Sequence, residues 1–135
     1  MAPLNADAMG QADVSAHVAM VLAWDLNGPD PPLGDVTLRA VEQLTAYRRI
    51  IAEDLNAQCR GIPADCGASL SAQAILGEAS RRLHLPPPYR TPRAAGHRAQ
   101  NIARLVDALL RAVEEVSAER ARTPHHQHTT RKGIR

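Results

Sequence analysis

Residues 91–116 read TPRAAGHRAQNIARLVDALLRAVEEV, and this stretch decides the fold class. Thr91 followed by Pro92 is a good N-cap and first-turn pair. The hydroxyl can accept from an orphan amide, and the missing proline N–H costs nothing there. Ala95, Ala99, Ile102, Val106, Leu109, Val113 and Val116 then hold a three-four spacing, widened by Leu105 and Leu110. Arg104, Asp107, Arg111, Glu114 and Glu115 fall opposite, as on a solvated helix face. The pattern predicts a long amphipathic helix.

Three more segments lie upstream. The third runs from near Ser69 to His84 or Leu85, with Ala72, Ile75, Leu76, Ala79 and Leu83 in its stripe, and Pro86-Pro87-Pro88 stops it. The second opens at Asp35, read as its N-cap, and ends near Cys59 before Gly61 and Pro63. Its apolar side carries Val41, Leu44, Ile51 and Leu55, with Leu38 at the edge. The first spans about Asp13 to Asn27, carries Val14, Val18 and Val21, and stops at Gly28-Pro29-Asp30-Pro31-Pro32. There is no Phe, and Trp24, Tyr47 and Tyr89 are the only aromatic residues. Ala, Leu and Val must fill the core, which favours helix over strand. The expectation is an all-α fold, an antiparallel (up-down-up-down) four-helix bundle with disordered termini. Residues 1–11 are then a flexible N-terminus, 12–120 the bundle and 121–135 a disordered basic, His-rich tail.

The 135 residues carry a net charge of +2. Arg122, Arg131, Lys132 and Arg135 place +4 in the last fourteen residues, leaving the remainder at −2. A basic tail on a nearly neutral body reads as a solvated end before it reads as a nucleic-acid arm. No apolar run reaches the length of a membrane span, and the first residues lack the charge and hydrophobicity of a signal peptide. The expected compartment is the cytoplasm, with Cys59 and Cys66 as thiols.

Several charges fall where apolar residues belong. Arg48 sits in the middle of the second segment's stripe and Arg98 within the fourth's. Asp25 continues the face of Val14, Val18 and Val21, while Arg82 and Glu78 flank the third stripe. A charge carried into a bundle interior is costly unless paired. Asp25 and an arginine pairing across the bundle is one explanation, and arginines snorkelling to its end is a variant of it. The other is a pocket in which Arg48 and Arg98 receive a carboxylate or phosphate.

Other motifs carry less. Glu78 and His97 could form an acid-base pair, but His97 lies off the apolar stripe and reads as solvated. No Glu-x-x-His pair, Walker loop, GxGxxG, GxSxG or HExxH is present. His125, His126 and His128 lack the fixed geometry of a metal site. Cys59 and Cys66 bracket one loop without further ligands at zinc spacing. Pro86-Pro87-Pro88-Tyr89 reads as a rigid linker, and Trp24 and Tyr47 lie beside their stripes. Neither a metal nor a cofactor is expected.

The chain resembles a family of small actinobacterial proteins of unknown function labelled natural-product biosynthesis proteins. The resemblance rests on Asp30-Pro31-Pro32 ahead of Leu38 and Leu44-Thr45, and on Leu76-Gly77-Glu78-Ala79-Ser80-Arg81-Arg82-Leu83. It also rests on His97-Arg98-Ala99-Gln100-Asn101-Ile102-Ala103-Arg104-Leu105. The stretch Tyr47-Arg48-Arg49 departs from the family pattern, where a histidine is commoner. The resemblance implies a setting near specialised-metabolism genes and brings no catalytic residues.

The leading expectation is a helical accessory or binding protein of natural-product biosynthesis, with no defined reaction. Its partner would be another biosynthetic protein or a small anionic metabolite, and its helix faces leave room for a homodimer. One alternative is a small cyclase- or isomerase-type enzyme with an Arg/carboxylate pocket built from Arg48, Arg98, Asp25, Glu78 and Arg82. A second is a regulator binding nucleic acid through the basic tail, against which the fourth segment mixes acids with its arginines.

Overall fold

The computed structural model describes residues 10–83 and 91–134, with side chains from 10 to 81 and from 91 to 122. The expected flexible N-terminus therefore falls almost wholly outside the described residues, as do the proline-rich linker, Tyr89 and the side chains of the His-rich tail. Among the described residues the protein is all-helical, with four helices and no strand. These are α1 (Gln11–Leu22), α2 (Gly34–Cys59), α3 (Gly67–Leu83) and α4 (Pro92–Ile134).

The start of α4 follows its sequence signal. The Ala94 amide donates to Thr91 Oγ1 at 3.0 Å, and the Ala95 amide to the Thr91 carbonyl at 3.0 Å. Every residue of the stripe from Ala95 to Val116 is buried. Ala103 and Ala112 are buried too, widening the covered face beyond one stripe. The reason is tertiary: α4 packs against each of the other three helices, most extensively against α2. Among the described residues α1 and α3 make no contact with each other, and the α2–α4 pair lies between them. The helix continues past residue 120, where the sequence pattern placed the end of the bundle.

Two helix starts differ from expectation. Asp35 is not the N-cap of α2. Leu33 holds that position with no side-chain cap, and Asp35 lies in the first turn, where its carboxylate meets the positive end of the helix. The Thr37 hydroxyl, fully buried, donates to the Gly34 carbonyl at 2.8 Å. α3 begins two residues before Ser69, with the Leu70 amide on the Cys66 carbonyl.

The third difference changes the site. α1 stops at Leu22 instead of running to Asn27. The Ala23 and Trp24 amides tighten onto Met20 and Val21. The Asp25 carboxylate then accepts from the Asn27 amide at 3.2 Å, a local bond that competes with helix continuation. Asp25 is exposed in a turn and not on the buried valine face.

A Cβ on Gly34 would stand 3.3 Å from Pro92, near the end of α1, and one on Gly61, at the other end of α2, would meet Arg120 at 2.8 Å. The starts of α2 and α4 therefore lie together, as do the end of α2 and the far part of the bundled α4. Trp24 and Tyr47 are half-buried against the core and close its edge.

Candidate functional site

Arg48 is carried inward by the α2 stripe and retains only 5% of its exposure. The neighbouring Leu44 and Ile51 are fully buried, so the helix phase leaves the side chain no route outward from its base. One guanidinium nitrogen, Nη1, donates to the Ala79 carbonyl of α3 at 3.1 Å. Ala79 lies in the last turns of α3, where the backbone carbonyls form the negative end of the helix and favour a cation.

The remaining surroundings oppose the charge. Burial is the main cause that lowers the Arg48 pKa from the ordinary guanidinium value, followed by the positive charges of Arg49 and Arg98. Arg98 is half-buried on α4 with its Nε shielded from solvent. The structure thus brings Arg48 and Arg98 into one neighbourhood, joined by Arg49, which the sequence patterns did not single out. The ion pairs among the described residues join Arg81 to Glu78, Arg111 to Asp107 and Arg122 to Glu119, and none includes Arg48. Asp25 is not among them and does not supply the cross-bundle counter-charge.

Glu78 stands one residue before the carbonyl that holds Arg48. It is half-buried and pairs at 2.6 Å with Arg81 on its own helix. Arg82 lies in α3, with its side chain outside the described residues. His97 is exposed, as its position off the stripe implied.

Glu78 also lines a groove between α3 and α4 with Ile75, Asn101, Arg104, Leu105 and Ala108, about 220 Å³ in volume. Asn101 Oδ1 accepts from Arg104 at 3.0 Å on its rim. Asn101 and Arg104 escaped the sequence reading because a groove needs two helices, and periodicity describes only one.

Gln100 was also missed. It is 8% exposed, and its Nε2 donates to the carbonyls of Val21 at 3.1 Å and Trp24 at 2.9 Å. It therefore caps the end of α1 from α4, answering carbonyls that a helix terminus leaves open. The available signal was a polar residue wedged between Ala99 and Ala103 of a buried helix. Among the described residues no three His, Cys, Asp or Glu side chains are grouped to hold a metal, and no helix is long and apolar enough to cross a membrane.

Fold and site together define a small all-helical protein in which a buried arginine of α2 and a half-buried arginine of α4 act on one another beside a mixed polar-apolar groove. Residues 12–129 match the model of a family of unknown function, DUF6415, and the chain belongs to that family. No curated protein and no solved structure matches the chain.

Proposed function

We propose that this protein is a non-catalytic helical binding module that receives an anionic group at the Arg48–Arg98 cluster. The family resemblance supports an accessory role in actinobacterial natural-product biosynthesis, in the cytoplasm, beside another biosynthetic protein or a small anionic metabolite. The four helices are read as an up-down-up-down, antiparallel bundle. The meeting of Gly34 with Pro92 and of Gly61 with Arg120 supports parallel α2 and α4 within it. Exposed Leu33, Val36 and Leu38 at the start of α2 offer an apolar face to a protein partner or a second copy.

One observation carries the reading. Arg48 is almost wholly buried, with two further arginines acting on it and, among the described residues, the Ala79 carbonyl as its acceptor. A buried charge is costly unless compensated, and an anion bound at the cluster supplies the compensation. Guanidinium groups bind carboxylates and phosphates bidentately, which gives such a site orientation as well as affinity. The enzyme alternative draws less support. Glu78 is engaged by Arg81, Asp25 is remote in its turn, and His97 faces solvent.

The test is thermal denaturation in phosphate, acetate or citrate, matched in ionic strength with sodium chloride. Wild type should melt higher in these anions than in chloride, because a ligand that binds only the folded state stabilises it. Arg98→Met should lose that response while remaining folded. If wild type does not respond and Arg48→Met merely raises the melting temperature, the arginines are structural and the reading fails.

A further inference from the structure

We infer that the anion taken by the cluster is a monocarboxylate with a short apolar chain, and that the chain lies in the groove between α3 and α4. This rests on the anion-binding reading above and adds the ligand's class and orientation. Arg98, Asn101, Leu105 and Ala108 recur at i, i+3, i+7 and i+10 of α4, which places them along one side of the helix. Asn101, Leu105 and Ala108 line the groove, so Arg98 stands one turn beyond its end. On the facing helix, Glu78 adjoins the Ala79 carbonyl that holds Arg48. The end of the groove marked by Glu78 and Asn101 therefore points toward Arg98 and the Ala79 carbonyl.

The lining is graded. Ile75, Leu105 and Ala108 form an apolar floor, while Glu78, Asn101 and Arg104 supply the polar atoms. That distribution suits an amphiphile with its head at Arg98 and its chain over Ile75 and Leu105. Glu78 already draws on the positive charge at that end of the groove, so a monoanion asks less further compensation of the arginines than a dianionic phosphate does. The size of the groove sets the chain. Its 220 Å³ equals about seven waters at ~30 Å³ each, room for a chain of about six to eight carbons.

Titration calorimetry of the full chain with acetate, butyrate, hexanoate, octanoate and decanoate tests this, with inorganic phosphate as a chainless anion. Affinity should rise about twofold to fourfold per added methylene as far as hexanoate or octanoate, then level off. Ala108→Phe, filling the groove at a half-buried position, should remove the gain with chain length and keep the response to acetate. Ile75→Ala, which shaves the floor instead, should reduce the gain per methylene, so the result does not depend on one variant folding. A flat series with acetate and phosphate still bound overturns the groove and leaves the anion site standing. A chain-length gain that survives in Ala108→Phe also overturns it. No response to any anion overturns both readings.

Discussion

Gln100→Glu isolates the contact by which α4 holds the end of α1. The exchange is nearly isosteric but replaces a two-proton donor with an acceptor. In the wild type, Nε2 satisfies the Val21 and Trp24 carbonyls at 3.1 and 2.9 Å in a site with 8% exposure. Losing two such bonds costs about 1 kcal/mol each. The new carboxylate would also face two carbonyls at the negative end of a helix, out of water. Breaking a buried polar arrangement so that a charge is left uncompensated costs about 3–5 kcal/mol. A domain of this size changes its melting temperature by roughly 3–5 °C per kcal/mol, so the variant should melt about 10–20 °C lower near neutral pH. Far-UV circular dichroism, by heat and by urea, measures both quantities. A buried carboxyl with a raised pKa regains stability as pH falls, because its protonated form again offers one donor. The gap to wild type should therefore narrow between about pH 7.5 and 5. Gln100→Leu, which leaves the carbonyls open without adding a charge, should cost about 2 kcal/mol. A Gln100→Glu variant within about 1 kcal/mol of wild type, or a gap that does not move with pH, would refute the reasoning.

Three further outcomes are expected. His17 packs edge-on against Tyr47 at 5.9 Å, and burial lowers its pKa, so the stability it confers is present above about pH 6.5 and lost as the imidazole charges below that. His17→Asn should flatten the fall in melting temperature between about pH 7.5 and 5.5, and an unchanged slope would assign that fall to other groups. Burial raises the pKa of the Cys59 thiol, with a smaller contribution from Cys66, while Cys66 is half-exposed; native iodoacetamide labelling followed by peptide mapping should find Cys66 modified first. Arg48→Met should be neutral or stabilising by about 1–3 kcal/mol, and Arg48→Met with Arg98→Met should deviate from additivity by about 0.5 kcal/mol or more, since each relieves the same repulsion; strict additivity in urea melts would place the two arginines in separate environments.

The long fourth helix was legible because its stripe is continuous and its N-cap chemistry is local. Thr91 acts on an amide three residues away, and no other helix has to be known. The end of α1 was not legible for the converse reason. Val14, Val18 and Val21 set a phase that Asp25 continues on a helical wheel. What stops the helix is an Asp25 side chain bonding to Asn27 and a glutamine arriving from 76 residues downstream. Asp35 illustrates a milder limit, since an acid suits both the cap and the first turn, and the sequence does not separate them. For the site, wheel phase placed Arg48 and Arg98 inward and His97 outward. The choice between a cross-bundle ion pair and a shared arginine neighbourhood depended on how the helices dock. The exposure of Asp25 in its turn removes that residue as the cross-bundle partner.

The five residues His97 to Asn101 show why the docking matters more than the motif. Successive side chains turn by about 100° around a helix, so this short run faces nearly every direction. His97 meets solvent, Arg98 the cluster with Arg48, Ala99 the core, Gln100 the end of α1 and Asn101 the groove. A surface helix would waste most of these contacts, but α4, like α2, packs against all three other helices. A shift in its phase would therefore uncap α1, displace Arg98 and close the groove together. The end of α1 and the proposed anion site share no side chain, yet each depends on the register of the same helix. Changes at Gln100 should reach the arginines only by moving that helix, and not through any chain of contacts across the core.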